Sequence, residues 1–478
     1  MSNEALISSA KWYFVVVAIG IVLVVVLVTL GVEWISLTTG AQWISLALMA
    51  LPVILVAIWF MARYPIAPYL VFPLSTFELI YVPVAGANIR PYQIVALLAI
   101  VALLLKKKKI PVPKNPVGWS CIAYLFVSGI SILYSYSRAD SIRLWLLFVV
   151  QVATLYALIR YLDTFNRVQK FVYFFLLSGF MITMVGFVQA LLVVLGIVPP
   201  YRDAQMIPTG RPPGTFVEAA WLAAFSMFFL LIYIPFLYSR KFAPYRPLLI
   251  TAWLLMLVVN LFCMTRAAWL GLLVGILLQG TLMLLLRPRG ARGLLSLMAL
   301  RLGPIVMFLS LLLILFMPDL FGLFTNRFLD IGNVSESAAS LRIDDFNDIL
   351  RLIRMRPWTG YGIGTLEAVM RDPMNNPRHR NFANVSLNVY LTMWFDAGIL
   401  GLVTGFLITI LIPGEILHNA VLTSDPFYKD FLIALGVGIL ALLLTFQFSN
   451  GFPRGWYWAI AGISLSLSRV LSRSRSGV

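Results

Sequence analysis

Apolar residues run along this chain in long blocks, at about 12–31, 42–61, 65–82, 91–105, 117–135, 141–160, 169–195, 217–238, 246–263, 267–286, 303–317, 388–413, 429–448 and 455–470. Blocks of roughly 17–25 apolar residues are long enough to cross a hydrocarbon core of about 30 Å as helices. A helix satisfies its backbone polar groups within its own segment, as a bilayer demands. The short alternating segments of a membrane barrel are absent. The pattern therefore predicts an all-α polytopic transmembrane protein of about fourteen spans. Residues 1–317 would carry spans one to eleven, 318–386 a large loop, and 387–478 the last three spans and a basic tail. The block 65–82 is the weakest. Pro65, Pro68, Pro73 and Glu78 interrupt it, so it reads as crossing, broken or re-entrant, and it decides on which side the N-terminus lies. The first block follows a short polar start without a small-residue cleavage site and reads as a retained anchor.

Composition agrees: 61% of the 478 residues are hydrophobic and 12% charged, against roughly 25% charged in ordinary soluble domains. The net charge of +17 raises nucleic acid as a partner, but its placement argues against that. Basic residues cluster in short connections, at Lys106 to Lys109, Arg160 with Arg167 and Lys170, Arg240 with Lys241 and Arg246, Arg287 through Arg301, and Arg469, Arg473 and Arg475. This is the positive-inside pattern. It puts both termini in the cytoplasm and sends segments 83–90, 136–140, 196–216 and 318–386 to the outer face, with membrane lipids as the surroundings.

The large loop holds eight arginines, eight acids and no lysine. Within it Leu341, Phe346, Ile349, Leu350 and Ile353 recur at helical spacing, predicting an amphipathic helix against the membrane surface, with Ser340 or an earlier serine as its cap. Pro357 ends it, and Gly360, Gly362 and Gly364 make a tight turn. No strand precedes those glycines, so they are not a dinucleotide fingerprint. Cys121 and Cys263 lie in apolar runs without metal or redox spacing and read as core residues. No metal-ligand pattern occurs, so metal-independent chemistry without a cofactor is expected.

Arginine stays charged beside lipid, and its planar fork suits phosphate oxygens. Arg211 and Arg266 stand within a few residues of outer span ends, where a charge is costly unless paired or used. They are the leading candidates to hold a phosphate, against snorkelling at head-group level. Arg342 divides between phosphate ligand and salt bridge, while Arg351, Arg354 and Arg356 read as a solvated or head-group-facing side of the loop helix. Glu218, at the outer start of a span, is a candidate base; it follows Arg211 by seven residues, one face of a helix if Pro212 and Pro213 permit one. Asn388 and Tyr390 are candidates to bond sugar hydroxyls, with a helix cap and an interfacial belt residue as the alternatives. Trp358 divides between sugar stacking and interfacial anchoring.

The order of the polar islands carries a resemblance. Gly210-Arg211-Pro212-Pro213-Gly214-Thr215-Phe216-Val217-Glu218 is followed by Thr265-Arg266-Ala267-Ala268, then Arg342, then Arg356-Pro357-Trp358-Thr359-Gly360-Tyr361-Gly362-Ile363-Gly364. Leu387-Asn388-Val389-Tyr390-Leu391 and Asp396-Ala397-Gly398-Ile399-Leu400-Gly401-Leu402 complete the set. Over about residues 90–470 the chain resembles the O-antigen ligase and polymerase superfamily of bacterial membrane glycosyltransferases. The resemblance implies a GT-C-like fold in the cytoplasmic membrane. It implies transfer of a glycan from an undecaprenyl-diphosphate carrier, on the extracytoplasmic face and with inversion, to the hydroxyl of another lipid-linked repeat unit. It also implies a flippase and a chain-length regulator as partners. Family members usually carry a histidine where this chain has Leu387, which weakens the ligase reading and favours a polymerase or a more distant relative; His379, elsewhere in the loop, is a candidate to stand near that place. The rival class is a flippase for lipid-linked oligosaccharide or an anion transporter. Against it, the span interiors are almost free of charge and the polar islands gather on one face.

Overall fold

The structure is a computed structural model that describes residues 58–59, 61, 63–64, 66–84, 87–105, 115–197, 211–297, 337–372, 375 and 388–473. Helices dominate, in the order α1 (Ala67–Thr76), α2 (Pro91–Leu105), α3 (Pro116–Ser131), α4 (Arg138–Tyr161), α5 (Phe165–Val194), α6 (Ala219–Tyr238), α7 (Arg246–Phe262), α8 (Arg266–Leu286) and α9 (Pro288–Leu297). They continue with α10 (Ser337–Met355), α11 (Leu366–Arg371), α12 (Val389–Leu422), α13 (Pro426–Thr445) and α14 (Gly455–Arg473). Among the described residues eight helical segments are long and apolar enough to cross a membrane, so the chain is a multi-pass membrane protein. The expected spans at 12–31 and 303–317, and nearly all of 42–61, lie outside the described residues.

Two expectations change at the edges of this pattern. The interrupted block 65–82 gives only the ten-residue α1 with Pro73 inside it, about 15 Å at 1.5 Å per residue and too short to cross alone. The chain then turns through an antiparallel hairpin, β1 (Val82–Val84) on β2 (Ala87–Ile89), with Val82 opposite Ile89, where a plain outer loop was expected.

The buried centre is α6, which packs against α5, α7, α8 and α13, with α14 against α4 and α12. Every residue of α6 from Trp221 to Leu237 is buried. Small residues let the helices approach closely: a Cβ on Gly179 of α5 would stand 2.1 Å from the Phe229 ring, and one on Gly275 of α8 2.6 Å from Leu231. Phe72, Phe175, Phe225 and Phe229 fill the contact between α1, α5 and α6, with Phe225 and Phe229 centroids 4.8 Å apart. Cys121 and Cys263 are both buried free thiols, as expected.

The polar islands of the sequence separate to the two ends of this bundle. At the end rich in basic turns, Asn115 caps α3 and also donates to Glu415 (3.0 Å), whose carboxylate receives Arg469 through Nε and the second guanidinium nitrogen at 2.5 and 3.1 Å. Buried Asp430 accepts from Tyr238 Oη at 2.7 Å and pairs with Arg287. Removing one partner of such a pair strands a buried charge, so Arg287→Ala is expected to cost about 3 kcal/mol, read as a lowered melting temperature in detergent. The apolar double replacement Arg287→Met with Asp430→Leu is expected to recover most of that loss.

Candidate functional site

The opposite end gathers the starts of α2, α6, α8, α12 and α14 and the ends of α1, α5 and α13. Segment 211–218 crosses it without forming a helix, so the two prolines do not permit the helical face that Arg211 and Glu218 would have shared. Pro212, Pro213 and the left-handed Gly214 (φ 65°) keep the chain out of helical geometry until Glu218, the residue before α6. Gln189 of α5 clamps Gly214 on both sides, accepting from its N–H at 2.7 Å and donating to its carbonyl at 3.0 Å. Phe216 is buried against Phe225 and Trp456.

At the head of this segment Arg211 is half-buried and turned onto the short link between α7 and α8. Its Nε donates to the Cys263 carbonyl at 2.7 Å and its guanidinium to Thr265 Oγ1 at 3.0 Å. Met264 takes a positive φ of 46° in that link, an uncommon conformation for a residue with a side chain. The next residue, Arg266, is the first of α8. Arg211 is thus bonded to the residue that precedes Arg266, beside a helix N-terminus that itself favours anions. Burial pushes the Cys263 thiol up to about 12, with Arg211 pulling the other way, in keeping with a packing role.

Glu218 is half-buried at the α6 start, and its side chain does not cap the helix. Asn388 does cap: its Oδ1 accepts from Tyr390 N and Leu391 N at 2.9 and 3.2 Å, while its amide donates to Gln447. The Tyr390 hydroxyl is tied to Thr409 at 3.1 Å. Asn388 thus makes the helix cap weighed from the sequence, and the Tyr390 hydroxyl is engaged within α12 itself. Arg342 falls within α10, its side chain outside the described residues, and His379 and Leu387 lie outside them altogether.

The amphipathic helix exists as α10, beginning at Ser337, which leaves Ser340 inside its first turn, and ending before Pro357. Its apolar side does not simply face lipid. Ile349, Leu352 and Ile353 are buried with Tyr361, Val369, Met370 and Phe395, because the loop builds its own small core. Arg351 donates to the Asn375 carbonyl at 2.7 Å, and the Arg356 guanidinium covers the Tyr361 ring, which stacks on Phe395 at 4.9 Å. Burial raises the Tyr361 hydroxyl's pKa, with Arg356 and Arg351 opposing. Trp358 is 76% exposed at the edge of this core.

The two glycine-bearing islands turn out to be halves of one joint. Within α12 the helix breaks at Ala397 and Gly398, and the 357–362 turn enters the break. Tyr361 N donates to Phe395 O, Gly362 N to Asp396 O, and Ile399 N to Pro357 O, at 2.9 to 3.0 Å. Buried Asp396 accepts from Gly364 N at 3.1 Å. On the other side Ser131 Oγ accepts from Ile363 N, and Ser141 Oγ donates to Ile363 O, fastening the loop to the α3–α4 connection.

Sequence reasoning passed over Glu78 and Arg454. Glu78 is 1% exposed; its N–H donates to Thr215 O, and its Oε2 receives Val217 N at 3.4 Å and an Arg454 guanidinium nitrogen at 3.3 Å. Arg454 lies over the Trp221 ring at 4.8 Å. The signal was available, since each is a lone charge at the edge of an apolar block, the criterion that singled out Arg211 and Arg266.

Known proteins relate to this geometry in one respect. No curated protein matches the chain. Residues 251–406 match the family model described as O-antigen ligase. The matched stretch holds Arg266, α10 and both halves of the glycine joint, and it stops short of Arg211, Glu78 and Arg454 on either side. Together with the ordered islands, that match supports the resemblance to the O-antigen ligase and polymerase superfamily.

Proposed function

We propose that the protein is a polysaccharide polymerase of the bacterial cytoplasmic membrane, working on the extracytoplasmic face. It joins the glycan of one undecaprenyl-diphosphate carrier to a hydroxyl of a second lipid-linked repeat unit. The observation that carries this reading is Arg211, bonded to the Cys263–Thr265 link beside Arg266 at the α8 N-terminus. In the transfer an acceptor oxygen attacks the anomeric carbon from the face opposite the leaving group. A new C–O bond forms, the bond to the diphosphate breaks, and the electron pair leaves with the phosphate. Arg211 and Arg266, with Arg342 assisting, stabilise the developing charge as preorganised guanidinium groups, which act more strongly away from bulk water. Glu218 takes the proton of the attacking hydroxyl, a role that nothing at position 387 can supply. The flippase that delivers the donor and a chain-length regulator are its expected partners.

The test is incubation of the purified protein in lipid nanodiscs with a lipid-linked repeat unit, with products resolved by mass. Glycans one or more repeats longer, together with released carrier diphosphate, support the polymerase. Transfer only to a lipid or protein acceptor without repeat-unit growth makes the protein a ligase. Unchanged substrate with movement of the lipid across a liposome overturns the enzyme reading. Glu218→Gln is expected to lower kcat by about 10²-fold with little change in melting temperature.

A further inference from the structure

Three residues in or beside the Arg211 segment hold polar groups that the fold leaves unpaired. Among the described residues Glu78 Oε1, Thr215 Oγ1 and Trp221 Nε1 are buried without a hydrogen-bond partner, and their residues are 1%, 7% and 4% exposed. Leaving such groups unpaired costs about 1–3 kcal/mol each. They belong to one cluster. The Glu78 N–H bonds Thr215 O, the Glu78 carboxylate pairs with Arg454, and the Arg454 guanidinium covers Trp221. The Arg454 side chain is 23% exposed and links the cluster to the surface.

The chemistry of the set is mixed: a carboxylate oxygen that only accepts, an indole N–H that only donates, and a hydroxyl that does both. An inorganic anion would satisfy the donor and be repelled by Glu78. A hydrocarbon tail would satisfy none of them. A saccharide presents neighbouring hydroxyls that donate and accept, and matches all three. Position narrows the role. Residues 211 and 217 are six positions apart, at most about 20 Å of chain, so the cluster lies within a few sugar rings of Arg211, on the far part of the same segment from the arginine pair.

We propose that Glu78, Thr215, Trp221 and Arg454 form a saccharide subsite that seats the acceptor sugar, with Glu78 Oε1 accepting one of its hydroxyls and Trp221 Nε1 donating to another. This rests on the glycan-transfer reading above and adds the residues that hold the second substrate. Glu78 is oriented for the task because its other oxygen is held by Arg454 and Val217 N.

The experiment uses the full chain in nanodiscs and two probes: the carrier-free repeat-unit oligosaccharide, cut from the producing cells' own polysaccharide, and inorganic pyrophosphate. Saturation-transfer NMR reads the oligosaccharide, and competition against lipid-linked donor reads pyrophosphate. Trp221→Phe keeps the ring under Arg454 and removes only the N–H; it is expected to weaken oligosaccharide binding by about fivefold, and Glu78→Gln by about tenfold or more. Both should raise KM for the acceptor while leaving pyrophosphate competition unchanged. Should Glu78→Gln fail to fold, Trp221→Phe alone decides. Oligosaccharide binding and acceptor KM that do not move in the folded variants overturn the subsite while the transferase reading stands. Binding that depends on Trp221 in a protein that catalyses no transfer keeps the saccharide site and sinks the transferase reading instead.

Discussion

Arg211→Lys is expected to lower glycan transfer by about 10²- to 10³-fold while the protein stays folded. The magnitude is that of removing one preorganised donor from a site where negative charge develops. Lysine keeps the charge, so the loss would come from geometry. Arg211 engages Cys263 O through its Nε and Thr265 Oγ1 through a guanidinium nitrogen, and these two bonds fix the plane of the fork. A lysine ammonium on a flexible stem cannot hold both anchors in that geometry. Single-turnover transfer in nanodiscs, beside a melting curve, checks this. A lysine variant within a fewfold of the wild-type rate would mean that Arg211 acts as a diffuse charge, and the site would have to be sought elsewhere.

Gly398→Ala is expected to destabilise the protein by about 3 kcal/mol or more and to free the 357–362 turn from α12. Gly398 adopts φ 66° and ψ −164°, a region open essentially to glycine alone. A Cβ there would stand 2.0 Å from the Trp358 carbonyl oxygen. That neighbour is backbone and cannot swing aside. Gly360 faces the same seam from the other side, its Cβ position 2.4 Å from Phe395 O, so Gly360→Ala should behave alike. Gly196 is the control. It shares a positive φ of 68° but has nothing within 4 Å of a Cβ among the described residues, and Gly196→Ala should cost only about 1–2 kcal/mol. Melting temperature in detergent and limited proteolysis near residue 358 distinguish the cases. An intact seam in Gly398→Ala would show that the clasp is not what holds the loop on α12.

Much of this was legible before any coordinates. The long apolar blocks read as helices because a bilayer leaves the backbone no other partner, and α3 to α8, α12 and α13 lie where the blocks put them. Arg211 and Arg266 stood out because a charge at a span end is costly. The loop helix followed from the spacing of Ile349, Leu350 and Ile353. Its setting did not: helical spacing says that one face is apolar, and does not say that Tyr361, Met370 and Phe395 cover it. The islands around Gly360 and Gly398 likewise read as two separate turns, since nothing local marks them as one joint.

Composition and periodicity were therefore sufficient for membrane class, for most span positions and for singling out the two arginines as candidates, because each follows from the cost of placing one residue type in one solvent. Pairings needed the packed molecule. Arg454 meets Glu78 across 376 positions, Arg211 reaches Cys263 across 52, and the Asn388 amide reaches Gln447 across 59. Such contacts depend on how helices cross, which is set by the summed shape of many side chains and leaves no mark on any short stretch of sequence.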